Sequence, residues 1–158
     1  MSEIVKRMDR RHYMNTGSRS VPVWSLVGEG FTDFSEVKNV VSVGRRYIHE
    51  SGRRTDVTGY SPAIDYEFEV RTEDPVITRL RTITDGEYTG EDAKVQILSV
   101  DLFDKTEIDG VYNAVCRTYS VIPDRCGVGT DILRYSGSLK AAGEPVRGTF
   151  VLAAEVFA

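Results

Sequence analysis

The sequence predicts a mainly β protein, an antiparallel β-sandwich or barrel with one flanking α-helix and a long protruding loop between early strands. Three observations lead to this prediction. Residues 64–70 alternate apolar and acidic side chains, and several β-rich segments follow residue 94. The clearest helical spacing falls in residues 75–85. The 158 residues are enough for one domain that buries a core without disulfides or metals.

The first 20 residues mix charges with small polar side chains and show no periodicity, so they are predicted to form a mobile arm. They are interpreted as a solvated tail that orders on assembly, or as an arm for nucleic acid, which Glu3 and Asp9 would weaken. The single domain is expected to span residues 21–158. Its first strand is predicted over residues 21–27, with a proline near its start, as an edge strand allows.

Residues 28–62 are predicted to be an extended assembly loop, because about 35 residues greatly exceed the usual connection between strands. The first part of this loop is polar except for three apolar residues, Phe31, Phe34 and Val37. This spacing indicates an arm that docks on another surface. Residues 40–48 and 54–57 are predicted to pair as a protruding hairpin with little apolar surface of its own.

The next segment, residues 64–70, is the least ambiguous strand. Its alternation places one set of side chains on the core and the acidic set, Asp65, Glu67 and Glu69, on the opposite face. This acidic face is interpreted either as a solvated surface or as the wall of a passage through which a polyanion slides. The pair Glu67 and Glu69 has a spacing used in acid–base catalysis, but strand alternation explains it.

A helix is predicted to begin at Pro75, with Asp74 as its N-cap, and to end before Gly86. Its predicted apolar face comprises Val76, Ile77, Leu80 and Ile83. The remaining predicted strands cover residues 94–103, 111–123, 131–139 and 146–157.

Charge is divided unevenly along the chain. Residues 1–54 contain ten Lys/Arg and six Asp/Glu, a net charge of +4, whereas residues 55–158 contain ten and eighteen, a net charge of −8. The arginines of the predicted hairpin, Arg45, Arg46, Arg53 and Arg54, are interpreted as contacts to the acidic body of a neighbouring copy, and a grip on nucleic acid is the alternative.

No catalytic, cofactor or metal site is predicted. His12 and His49 lack metal-ligand spacing, and Cys116 and Cys126 are interpreted as ordinary thiols. The sequence shows neither an apolar run of membrane-spanning length nor a signal peptide, so a soluble protein assembled in the cytosol is expected.

Three stretches together resemble a known family. Residues 23–31 (VWSLVGEGF), 45–48 (RRYI) and 54–62 (RTDVTGYSP) resemble the major tail tube protein of long-tailed, siphovirus-like phages and prophages of Gram-positive bacteria. The order of parts downstream, a strand, one helix and then strands, also fits. The resemblance covers the chain from about residue 21 onward.

The resemblance implies a structural, non-enzymatic subunit of the virion tail, assembled in the bacterial host cytoplasm. Such subunits form hexameric rings that stack into a hollow conduit for genome delivery, with tape measure, tail terminator and distal tail proteins as partners. DNA passes through the lumen without specific binding, and Asp65, Glu67 and Glu69 are the candidates for its wall. The residues expected to join subunits are Phe31, Phe34, Val37, Arg45, Arg46, Tyr47, Arg53, Arg54 and Tyr60.

Two alternatives remain open. The same fold serves the tubes of contractile tails, tailocins and type VI secretion systems. From a different class of function, a nucleic-acid-binding module would use the basic hairpin 45–54.

Overall fold

A computed structural model describes residues 2–127 and 129–158. In these residues the secondary structure is mainly strand. The strands are β1 (Arg10–Asn15), β2 (Trp24–Val27), β3 (Phe31–Val37), β4 (Val40–Arg45), β5 (Arg54–Tyr60), β6 (Ala63–Glu69), β7 (Lys94–Lys105), β8 (Val111–Cys126), β9 (Arg134–Ala141), β10 (Val146–Val151) and β11 (Val156–Phe157). The helices are α1 (Pro75–Asp85) and two 3₁₀ turns, Arg7–Asp9 and Gly90–Ala93.

Nine of these strands form one antiparallel sheet, and the predicted fold class is confirmed. The main path runs β2-β1-β7-β8-β9-β6-β3. Strand β8 is 16 residues long, and its two halves have different neighbours on one side. Its first half pairs with β10 and its second half with β9, while β11 extends from β10. Strands β4 and β5 form a separate hairpin.

The central strands are buried on both faces. On β7, Ile97 belongs to a core cluster with the helix and β6, whereas Leu98 belongs to a second cluster with β10. The second cluster is closed by aromatic contacts, among them Tyr13 with Phe150 at 4.8 Å between ring centroids. Because alternate residues face two cores, these strands lack the one-sided pattern of β6.

Helix α1 follows the sequence prediction. The Asp74 side chain accepts hydrogen bonds from the backbone N–H groups of Val76 and Ile77, and Pro75 occupies the first turn. The chain leaves the helix at Gly86. All four predicted apolar residues, Val76, Ile77, Leu80 and Ile83, are buried in the first core cluster.

The structure corrects the prediction for residues 1–20. Arg10–Asn15 is not an irregular arm but strand β1, which pairs with β2 on one side and β7 on the other. The sequence did not predict this strand because it is rich in polar residues, two of which are buried with partners remote in sequence. His12 contacts Glu36, and the Asn15 amide donates to Gln96.

The loop prediction is also corrected at its start. Residues 31–37 form strand β3, which pairs with β6, so the part of the loop that leaves the body runs from residue 38 to residue 62. A β-bulge between Phe31 and Asp33 shifts the register. Phe31 and Phe34, three residues apart, therefore both face the core, and the period of two is lost. The first predicted strand is shorter than expected, at residues 24–27.

The sheet curls so that β3, at one end of the strand order, approaches β1, near the other end, and a polar contact joins them. His12 of β1 is 3% exposed, and its Nε2 lies 2.9 Å from a carboxylate oxygen of Glu36 on β3, the far end of the strand order. Arg7 donates to the carbonyl of Phe34 at 2.9 Å, which satisfies a backbone group on the β3 edge. Side chains, rather than a backbone ladder, thus join β1 to β3.

We expect Glu36→Gln to weaken the acid dependence of stability. The hydrogen bond from His12 is the main cause that lowers the pKa of Glu36 from 4.5 to about 2, against the opposing effect of burial. A depressed carboxyl pKa adds stability above the unfolded-state pKa, and this stability is lost as the pH falls from about 4.5 towards 2. Urea unfolding across this pH range measures the slope. Glu144→Gln, at an exposed turn, is the control, and equal slopes in all three proteins would contradict the assignment.

Candidate assembly interface

The β4–β5 hairpin leaves the body through a narrow neck. Val37 of β3 lies opposite Ala63 of β6 in the sheet, and the chain between them is the whole excursion. Within the neck, Asn39 and Ser61 are joined by two hydrogen bonds of 3.0 and 3.1 Å. Asn39 adopts a φ of 48°, a left-handed conformation that asparagine tolerates better than most residues.

No residue of β4 or β5 is buried. The register places Val43 opposite Asp56 and Ser42 opposite Val57, so apolar side chains appear on both faces of the hairpin. The exposed apolar residues of the two strands are Val40, Val41, Val43, Val57 and Tyr60. An isolated two-stranded hairpin is marginally stable in water, and this one has more apolar surface than the sequence analysis predicted.

The tip of the hairpin is organised around Glu50 and Tyr47. The Arg54 guanidinium lies 3.0 Å from the Glu50 carboxylate and 5.0 Å from the centre of the Tyr47 ring. The His49 ring stacks on the Tyr47 ring, with 6.3 Å between the ring centroids. Ile48, between them, is fully exposed. These contacts give the tip a defined shape and leave an apolar side chain at its end.

The other tip arginines keep much of their charge available. Arg46 donates to the carbonyl of Glu50 and Arg53 to the carbonyl of Gly44. Arg45 lies at the limit of an ion pair, 4.0 Å from Asp56. Residues 45–56 contain four arginines and two carboxylates, a net charge of +2 with neutral histidine. The hairpin therefore combines exposed apolar groups with positive charge.

The predicted interface residues fall into two groups. Phe34 is in the chain's own core, Phe31 packs against that core, and Val37 ends β3, so these three belong to the body. The remaining six are on the hairpin: Arg45, Arg46, Tyr47, Arg53, Arg54 and Tyr60. Sequence reasoning missed the exposed valines of β4, because alternation of small apolar and polar residues also fits a strand that is covered on one face.

The acidic residues of β6 share a polar face with β9. Asp65 lies opposite Ser138 and Glu67 opposite Ser136, and none of these residues is buried. Asp33 of β3 stands beside Glu67 on the other side. This confirms that the acidic set faces away from the core.

Glu69 differs from the other two acidic residues of β6. Its carboxylate lies 3.5 Å from Arg71 and 3.7 Å from Arg134, so its charge is compensated within the chain. Three other carboxylates of this face form no ion pair within the described residues: Asp33, Asp65 and Glu67.

The described residues contain no cluster of three or more His, Cys, Asp or Glu side chains arranged to hold a metal ion. Cys116 is buried, which raises the pKa of its thiol, and Cys126 is exposed. Across residues 2–127 and 129–158, no helix has both the length and the apolar character needed to cross a bilayer.

Comparison with known proteins finds similarity in structure rather than in sequence. No family model matches the chain, and no curated protein is significantly similar to it. Its fold is similar to that of a chain in the cryo-EM structure of the anti-feeding prophage baseplate, 6-fold symmetrised. The two agree with a TM-score of 0.53 over 93% of this chain and 97% of the other, at 10% identity.

We expect Tyr47→Ala to loosen the hairpin tip without destabilising the body. Loss of a cation–π contact of about 0.5–1 kcal/mol should raise amide exchange at residues 46–53 roughly two- to five-fold. The urea midpoint should not change, since the tip contacts neither core cluster. Tyr47→Phe keeps the ring and is the control. Unchanged exchange in the alanine variant would show that the ring does not order the tip.

Proposed function

We propose that this chain is a structural, non-enzymatic subunit of a phage-tail-like particle, namely a tail tube protein. Copies assemble into hexameric rings that stack into a hollow conduit for genome delivery, located in the virion tail and assembled in the bacterial host cytoplasm. The hairpin joins one copy to the next. Tape measure, terminator and distal tail proteins are the expected further partners.

One observation carries the proposal: a partly apolar hairpin without a buried residue projects from a body that is already complete. The core clusters are closed without any residue of β4 or β5. A hairpin of this kind has too little packing to be stable alone, and a neighbouring copy would bury its valines and tyrosines. Its surface differs from that of the acidic body, so the contact would be head-to-tail, the type that builds rings and tubes.

Two further observations support the proposal. The similar chain comes from a baseplate described as 6-fold symmetrised, and the likeness spans nearly the whole of both chains. The main path of the sheet also ends in two edge strands, β2 and β3, which a closed ring could use as joints.

A second candidate, a nucleic-acid-binding module, is favoured by the four arginines of the tip. Against it, Arg54 is paired with Glu50, and the net charge of residues 45–56 is only +2. A nucleic-acid grip would show binding that weakens steeply with salt and with Arg46→Gln and Arg53→Gln. Attachment between protein subunits predicts that these substitutions impair assembly instead.

Replacing residues 38–62 by Asn-Gly should leave a folded monomer that cannot assemble. Val37 and Ala63 are already opposite each other, so a two-residue turn of this type connects them without disturbing the ladder. Electron microscopy of concentrated protein measures assembly, and urea unfolding measures the integrity of the body. A wild-type protein that stays monomeric with partner tail proteins, or a truncated protein that still builds tubes, would refute the proposal.

Asp65→Lys combined with Glu67→Lys should permit assembly but slow DNA passage, if this face lines the lumen. Like charge on the wall keeps DNA from adhering, and reversal would create binding sites for phosphates. DNA release from reconstituted particles is the measurement. Glu87→Lys, an exposed residue after α1, is the control. Equal rates of DNA release from particles of the two variants would show that this face does not line the lumen.

A further inference from the structure

A charged groove lies apart from the hairpin, on the face of the sheet that carries the first core cluster. Its volume is about 460 Å³, and it is lined by β1, β7, β8 and β10, with Glu36 and Lys38 at its rim. The registers explain its floor. Ser99, Val115 and Arg147 lie side by side across β7, β8 and β10, and therefore share one face.

Most charges in this groove are compensated within the chain. Arg10 forms a two-pronged contact with Asp101, at 2.6 and 3.1 Å. Glu36 contacts His12 at 2.9 Å and Lys38 at 3.7 Å. Asp104, nearer the β7–β8 turn, accepts a hydrogen bond of 3.1 Å from the Asn113 amide.

Two arginines are the exception. Arg117 on β8 and Arg147 on β10 form no ion pair within the described residues, and the enclosed Nε of Arg117 has no acceptor there. Arg81 and Arg134 also have an enclosed Nε, but their terminal nitrogens reach Asp85 and Glu69. Arg117 is half-buried and Arg147 is exposed, and both line the groove, so an acceptor from another molecule can reach their guanidinium groups.

The position of the two arginines suits one carboxylate-bearing segment. Arg147 is opposite Val115, so Arg117 is its diagonal neighbour on the same face, about 7–8 Å away at the backbone. Val115, opposite Arg147, and Pro145, next to β10, add apolar surface to the groove. Among the described residues of the groove, two unpaired arginines do not make the continuous positive surface that a chain of phosphates needs, which favours a protein ligand over nucleic acid.

The chain itself displays a segment of this chemistry in the β7–β8 turn. Glu107 and Asp109 are exposed and form no ion pair in the described part of the chain, and they flank Ile108, which is 67% exposed. The turn has a fixed shape, because the Thr106 hydroxyl accepts from the Ile108 N–H at 3.2 Å and lies 3.2 and 3.0 Å from the carbonyls of Ile108 and Val111, to which its single hydrogen can be donated. The turn therefore presents two carboxylates and an apolar side chain in a fixed shape to a neighbouring copy.

We propose that Arg117 and Arg147 of one copy bind the acidic turn 107–109 of a second copy. This contact rests on the proposed function, since it needs a neighbouring copy. It adds an attachment that is independent of the hairpin, with carboxylates and Ile108 as the inserted groups and the two guanidinium groups as the receptor.

The first test is a titration of full-length protein with the blocked peptide Thr-Glu-Ile-Asp-Gly, monitored by NMR. We expect chemical-shift changes at Arg117 and Arg147, and an affinity that falls roughly tenfold or more in Arg117→Gln/Arg147→Gln. Arg125→Gln, an exposed position on the same strand outside the groove, should bind as the wild type does. A Thr-Gln-Ile-Asn-Gly peptide should not bind. Equal affinity in all three proteins, or no binding at millimolar peptide, would overturn the inference, as would equal competition by inorganic phosphate or a DNA oligonucleotide.

The second test separates this inference from the proposed function. If the wild type assembles, Arg117→Glu/Arg147→Glu should impair assembly, and Glu107→Arg/Asp109→Arg on the same chain should restore it. Assembly by the arginine-reversed variant at the wild-type level would overturn the inference and leave the tube proposal intact. Peptide binding by a wild type that never assembles would support recognition of the turn by the two arginines and would refute the tube proposal.

Discussion

The structure depends on burial of both faces of the β7–β8 ladder. This pair lies in the middle of the sheet and contributes residues to both core clusters. One face receives helix α1 and β6, and the other receives β10 and the aromatic residues of β2 and β11. Strand β8 is long enough to pair with β10 along its first half and with β9 along its second half. One strand therefore fixes the positions of β9 and β10 relative to each other. Disruption of this ladder would remove both cores together.

Elements whose burial is one-sided or locally capped were predictable from the sequence. Strand β6 alternates because one face is polar, and α1 begins at Asp74 and Pro75 because capping is a local interaction. Strand β1 was missed because its polar side chains find partners far along the chain, such as Gln96 for Asn15. Strand β3 was missed because a bulge replaces its alternation with a spacing of three.

The position of the β4–β5 hairpin was predictable from the sequence, but its exposed apolar surface was not. Turn residues and paired arginines indicated a hairpin, yet a sequence cannot show whether a valine is covered. Its neck could be located only after Val37 was found opposite Ala63. The groove was not predictable at all, because Arg117 and Arg147 are 30 positions apart and meet only through the pairing of β8 with β10.

The narrow neck of the hairpin has a consequence for the free subunit in the cell. The hairpin adds nothing to either core, so it can open and close while the body stays folded. An opened segment rich in arginine and valine is a good substrate for proteases, whereas one clamped between copies is protected. On the proposed assembly, subunits left over would be cleaved first at this hairpin, and the element proposed to join copies would also mark those that found no partner.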